Sequence, residues 1–218
     1  MPRVGWKFLA SADLHMSNRL PYARPTTNGR TDRLEDQIAL IQRMRATAEE
    51  NDVDGVFLLG DIFDKSLVDA VTLTHTVEEI VAFKCPVWII PGNHDAVSVK
   101  GGRFTVEAFG AMGRDHIHFM NSGEPLPFGE SLKFWPVAYM PISATREALQ
   151  RIKLQTRTDE ANILLFHNSV KGCRHIGWKC DDGLLPAEVC AGFDWVFAGH
   201  FHDTQKFGAK ERGMYLGA

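Results

Sequence analysis

The chain has 218 residues, 44% hydrophobic and 23% charged, with a formal net charge of −3. That composition suits one globular domain and excludes a disordered chain. No apolar run approaches the roughly 20 residues that span a bilayer, and the N-terminus has no signal-peptide pattern, so a cytoplasmic protein without a membrane anchor is expected.

In chain order, Lys7–Ala12 is a short apolar run and reads as the first strand. Asp32–Asn51 follows as a helix, with Asp32 and Glu35 forming a capping box and Leu34, Ile38, Ile41 and Ala48 near one face. Gly55–Leu59 is a second buried strand. Val71–Phe83 is a second helix, stopped by Cys85-Pro86. Val87–Ile90 is a third strand, and Phe104–Met112 a third helix. Ser131–Tyr139 reads as a strand in which Pro136 marks an edge or a bulge. Ala144–Ile152 is a fourth helix. Asn162–Phe166 and Asp194–Ala198 are further buried strands. This alternation predicts an α/β layered fold in a single domain covering 1–218.

Polar residues gather just past the strand ends. Asp13 and His15 follow the first strand, Asp61 and Asp64 the second, and Asn93, His94 and Asp95 the third. His167 follows the strand ending at Phe166, and His200 and His202 follow the strand ending at Ala198. Ligands of open α/β sheets bind at this rim. Alone, each of these residues is as well explained by a cap, a turn or a core histidine. A G-N-H-D tetrapeptide, however, arises by chance in roughly one chain in a thousand of this length. Five such clusters in order at five strand ends do not arise by accident.

Taken together, Asp13-Leu-His15, Gly60-Asp61-Ile-Phe-Asp64, Gly92-Asn93-His94-Asp95, His167 and Gly199-His200-Phe-His202 resemble the motifs of the calcineurin-like metallophosphoesterases. The resemblance implies a β-sandwich flanked by helices, with a dinuclear metal site at the strand ends. It assigns one metal to Asp13, His15, Asp61 and His202, and the other to Asp61, Asn93, His167 and His200, with Asp61 bridging. It implies that His94 stabilises or protonates the leaving oxygen, that Asp95 holds the His94 ring, and that Asp64 supports the site. The mixed oxygen and nitrogen ligands suit Mn²⁺, Fe or Zn²⁺ better than Ca²⁺, and Mg²⁺ is a further option.

Within the family, Ser11-Ala-Asp-Leu-His15, Gly60-Asp-Ile-Phe-Asp64 and Gly199-His-Phe-His202 followed by Gln205 are similar to the SbcD-type DNA repair nucleases. That likeness favours Mn²⁺ and implies DNA as substrate, an SbcC-type ATPase partner and a homodimer. Those nucleases continue into a DNA-capping domain. This chain ends at Met214-Tyr-Leu-Gly-Ala218, which reads as a strand cut short, and no capping domain is expected in it.

Three loops after metal motifs carry Arg19, Arg24, Arg30, Lys100, Arg103, Lys171, Arg174 and Lys179 and no acid. Such a rim draws phosphates and is a candidate substrate-binding surface. A basic rim fits any polyanion. A DNA nuclease, a phosphatase or phosphodiesterase acting on nucleotides or phosphoproteins, and a non-catalytic binding module therefore all stay open, and the intact ligand set argues against the last. Trp6, Trp88, Trp135 and Trp195 sit in strand patterns and are expected in the core. His116 and His118 are expected to face solvent, and Trp178 lies in the polar loop after His167, where an indole could stack on a nucleobase. Cys85, Cys173, Cys180 and Cys190 form no C-x-x-C pair and read as reduced thiols. The irregular spacing of Cys173, His175 and Cys180 disfavours a zinc site.

Overall fold

The computed structural model describes residues 5–19, 23–98 and 102–218. In chain order the elements are β1 (Phe8–Ser11), α1 (Asp32–Glu50), β2 (Gly55–Leu59), α2 (Ala70–Val81), β3 (Val87–Ile90), α3 (Glu107–Ala111), β4 (Ile117–Phe119), β5 (Leu126–Phe128), β6 (Leu132–Val137) and α4 (Ile142–Lys153). They continue with β7 (Ala161–His167), β8 (Arg174–His175), β9 (Trp178–Lys179), α5 (Pro186–Cys190), β10 (Trp195–Gly199), β11 (Gln205–Phe207) and β12 (Gly213–Tyr215).

The strands form two main sheets. The first is all parallel, in the order β1-β2-β3-β4. The second runs β11-β12-β10-β7-β6-β5, with four parallel central strands and an antiparallel strand at each edge. Strand period 2 decides which side each residue serves. In β2, Val56 and Leu58 pack toward α1 and α2 with Leu34, Ile38, Ile41 and Ile80. The alternate residues Phe57 and Leu59 join Trp88 and Ile90 of β3 in a cluster with Phe134 and Leu165 of the second sheet. On that sheet's outer face, Trp135, Leu164, Phe166 and Val196 pack with Leu149 and Ile152 of α4 and Val189 of α5. The molecule is therefore a two-sheet sandwich with helices on both outer faces, as expected.

Several local expectations change. The first helix is capped by Thr31, whose side chain accepts from Leu34 N, rather than by Asp32. Glu35 turns to the Thr26 hydroxyl, 2.7 Å away. Pro136 lies on an interior strand, but β5 pairs β6 only as far as Phe134, so the missing N–H falls where the neighbour has ended. Trp88 and Trp135 are buried, whereas Trp6 and Trp195 are half exposed near the ends of their strands. His118 stacks on Trp88 with centroids 5.6 Å apart, and His116 Nε2 lies 3.0 Å from the Val81 carbonyl. Neither is a plain solvent-facing residue. All four cysteines are free thiols.

Candidate metal centre

The loops after β1, β2, β3, β7 and β10 meet at one end of the sandwich. Backbone bonds run from Asp13 N to Gly60 O, from His15 N to Asp61 O and from Met16 N to Ile62 O, so the first two loops are laced together. Gln37 of α1 reaches in from the helix layer: its Nε2 donates to Leu14 O and His15 O, and its Oε1 accepts from Ser17 N. Asp13, His15, Asp61 and His200 all have positive φ (55°, 46°, 51° and 101°), which side chains with a Cβ avoid. Four strained residues at one rim mark a place where geometry serves something other than stability.

Glycines make the close approach possible. A Cβ on Gly60 would fall 2.1 Å from the His167 ring, and one on Gly92 would fall 2.1 Å from the Asp61 carboxylate. One on Gly199 would fall 2.2 Å from the Leu59 carbonyl.

The seven expected ligands are brought together. Asp13, His15 and His202 form one compact group, and Asp61, His167 and His200 another. The Asn93 amide oxygen lies 2.7 Å from His200 Nδ1 and 3.2 Å from His167 Nε2. Asp61 stands between the groups, 3.9 Å from His15 Nε2 and 3.4 Å from His167 Nε2. His167 Nδ1 is 2.7 Å from the Leu59 carbonyl, to which it donates, so Nε2 is the nitrogen aimed at the centre. Ser169 Oγ, 3.0 Å from His200 Nε2, leaves Nδ1 of that ring for the centre.

The donor set fits divalent cations. His15 Nε2 and His202 Nε2 converge to 3.0 Å. Burial lowers both imidazoles, His15 to about 4, and it lowers His200 to about 3. Neutral rings keep their lone pairs for ligation. The carboxylates differ. Burial raises Asp13 to about 6, while at Asp61 the opposing pull of burial is outweighed by His167, which holds it well below the ordinary range. His167 shows the reverse balance, since Asp61 and Asp13 overcome burial and raise it to about 9.

His94 is exposed at the edge of this cluster. Its backbone N donates to Asp61 Oδ1 (2.8 Å) and its Nδ1 donates to the Asp64 carbonyl (2.6 Å), which leaves Nε2 free. The steadying contact therefore comes from the Asp64 backbone, and Asp95 does not make it. The Asp95 carboxylate is fully buried and accepts from Gly92 N, Phe63 N and Ile62 N, tying the second and third motif loops together. Burial, reinforced by Asp61, raises it to about 7. The Asp64 side chain lies 3.8 Å from His15 Nδ1.

The loop cations divide. Arg30 pairs with Glu35 (3.5 Å) and Arg103 with Glu107 (2.7 Å), so acids on the adjoining helices offset two of the eight. Arg19 borders a separate hollow beside Asp64 and Asp69. Arg24 is exposed beside the start of α1, and Lys171, Arg174 and Lys179 are exposed around β8 and β9. Lys100 lies outside the described residues. A cleft of about 870 Å³ opens over the candidate ligands, and α1 lines it with Arg33, Asp36, Leu40 and Arg43, with His175 also in the lining. This helix face lies outside the three loops expected to bind substrate. Its signal was there, as Arg33, Leu40 and Arg43 fall on one side of a helix whose opposite side is apolar.

The family model for calcineurin-like phosphoesterases matches residues 7–204. A dimetal phosphatase from Danio rerio superposes with a TM-score of 0.61 at 14% identity, over 96% of this chain and 85% of that one. A nuclease from Pseudomonas putida aligns with a TM-score of 0.41 at 16% identity, over 75% of this chain and 62% of that one. The calcineurin-like phosphoesterase YfkN from Bacillus subtilis aligns at 0.49 and 14% identity, over 91% and 72%. No curated protein matches significantly by sequence.

Proposed function

The chain belongs to the calcineurin-like phosphoesterase family, and with metal-dependent phosphoester hydrolysis as the premise we propose that its substrate is a nucleic-acid phosphodiester, DNA in the first instance. The observation that carries this reading is the cleft. At about 870 Å³ it is near the top of the range for ligand sites, roughly 300–1,000 Å³, and far larger than one phosphate needs. Its wall away from the ligands carries two arginines, Arg33 and Arg43, and one acid, Asp36, between them, so it is net positive by one charge. Arg33 and Arg43 are exposed and make no ion pair among the described residues, and ten residues of helix separate them by about 15 Å. That spacing spans several phosphates of one strand, which rise about 3.4 Å each along a B-form duplex.

Two divalent cations held by Asp13, His15, Asp61, Asn93, His167, His200 and His202 would supply Lewis-acid charge at the phosphate and a nucleophile from water at neutral pH. The chain's own residues do the rest. His94, with Nδ1 committed to Asp64 O, offers Nε2 to the leaving oxygen as hydrogen-bond donor or proton source. Arg33 and Arg43 draw the strand in and set its direction across the site. Mn²⁺ is the cation we assign, and action in DNA repair or recombination, an SbcC-type ATPase partner and a homodimer are parts of the same reading.

The test is Mn²⁺-dependent cleavage of single- and double-stranded DNA beside a small chromogenic phosphodiester. We expect cleavage of both. Reversing Arg33 and Arg43 to Glu together should weaken DNA binding and reduce its log–log salt slope by about 2, since two fewer counterions are released. Brisk hydrolysis of the small ester with no action on any DNA would replace this reading with a phosphatase or small-molecule phosphodiesterase.

A further inference from the structure

The segment after His167 folds into a feature the sequence did not predict. Arg174–His175 and Trp178–Lys179 pair as a two-stranded antiparallel hairpin closed by Ile176-Gly177. Both turn residues have positive φ, 50° and 79°, the geometry of a tight type I′ turn. Gly177 adopts this freely, but the β-branched Ile176 does so only under strain. Ile176 and Trp178 are 64% and 81% exposed, so this strained turn also leaves two large apolar side chains in water.

The hairpin is nevertheless held in place. Arg174 N donates to Gln205 Oε1 (2.7 Å), Gln205 Nε2 donates to Arg174 O (2.6 Å), and Gly177 N donates to Asp203 Oδ2 (2.8 Å). Asp203 directly follows His202 and Gln205 opens β11 two residues later, so the hairpin is fixed to the segment that leads out of the candidate-ligand histidines. His175 and Trp178 are directly opposed partners and so share a face. The His175 ring lies 5.3 Å from that of His202 and 6.4 Å from that of His200, and its buried Nδ1 has no hydrogen-bond partner among the described residues.

One face thus runs from the candidate metal cluster through a histidine with an unused nitrogen to an exposed indole, while the exposed cations Arg174 and Lys179 form the next opposed pair and so lie on the hairpin's other face. We propose that Trp178 is a stacking platform for a nucleobase of the substrate strand, with the hairpin fixing that base at a set distance from the scissile phosphate. The inference rests on the nucleic-acid reading above and adds what the phosphate contacts cannot give, recognition of a base. The occupant is a base because the platform is a large exposed aromatic face adjoining a phosphoester centre, where a substrate strand would present its bases beside the scissile phosphate. Every base has a π-face, so the grip should be tolerant of sequence.

The test uses the Mn²⁺-loaded protein and two phosphorothioate single-stranded decamers, one with bases and one abasic throughout. Trp178→Ala should weaken binding of the base-bearing decamer about 5- to 100-fold, the span expected for one lost base–aromatic stack. Trp178→Phe should recover most of that loss. The abasic decamer should bind the wild type and Trp178→Ala alike. Tryptophan fluorescence should be quenched by the base-bearing decamer in the wild type and far less in Trp178→Phe. Equal loss on both decamers, or unchanged affinity and quenching in the variants while DNA is still cleaved, overturns the platform and leaves the nucleic-acid reading standing. If neither decamer binds and no DNA is cleaved while a small ester is hydrolysed, both readings fall together.

Discussion

At the scale of single residues, the candidate cation ligands are buried or half-buried at the centre, whereas His94 is exposed beside them. Asp61 touches both halves of the cluster and also accepts the His94 backbone N–H, so removing its charge disturbs the ligands and the loop together. His94 reaches the cluster only at its edge. Asp61→Asn should therefore lower metal content, read by elemental analysis after dialysis. His94→Gln should keep both metals and lose about 10²-fold or more in kcat, the usual contribution of a general acid. Loss of metal from the His94 variant would make that side chain a ligand. The convergence of these residues was legible in the sequence because ligand chemistry restricts residue type at fixed loop positions. Their supports were not. Gln37, Ser169 and the Leu59 carbonyl act through hydrogen bonds that exist only once α1, β2 and β7 have packed, and nothing local in the chain marks them. Asp95 shows the opposite error, since adjacency in sequence to His94 pointed to a partnership that the fold replaces with three backbone donors.

At the scale of elements, β2 and β3 match their sequence limits because each is a run of residues buried on both faces. The short strands β4, β5, β8, β9, β11 and β12 carry no such run and exist through pairing alone. Helix α2 begins at Ala70, capped by Asp69, whose carboxylate accepts from Val71 N and Thr72 N at 3.1 Å and from the Thr72 hydroxyl at 2.7 Å. Partial burial works against that charge, and the hydrogen bonds from Thr72 and Val71 more than offset it, holding the carboxyl below its ordinary value. The sign follows: the cap stabilises fully above the unfolded value near 4 and fades as pH falls through the lower folded value. Asp69→Ala should cost about 1 kcal/mol near neutral pH, measured by denaturant unfolding, with the gap from wild type closing in acid. A gap that stayed constant down to pH 2 would show that the charge contributes nothing.

At the scale of the whole molecule, the ligands are divided between the sheets. Asp13, His15, Asp61 and Asn93 follow strands of the first, His167 ends a strand of the second, and His200 and His202 follow another. The layered class could be read from alternating apolar runs, whereas strand order and the meeting of two sheets rest on contacts between distant segments that local periodicity does not encode. Cations bound across this seam stabilise only the folded arrangement. At a hundred times its dissociation constant, each independent site adds roughly 2.7 kcal/mol. Chelation should lower Tm by several degrees, and Tm should rise with the logarithm of added Mn²⁺. An identical melting curve with and without chelator would argue that the sheets hold the site without help from metal.

The glycines that flank the ligands have a consequence for how the chain tolerates change over generations. Gly60, Gly92 and Gly199 carry no chemistry, yet even one added methyl group would overlap the His167 ring, the Asp61 carboxylate or the Leu59 carbonyl. Conservative replacement, which elsewhere in a protein is the gentlest route of drift, is closed at these positions. Descendants of this sequence that keep the same packing inherit the bare backbone at these three positions unaltered.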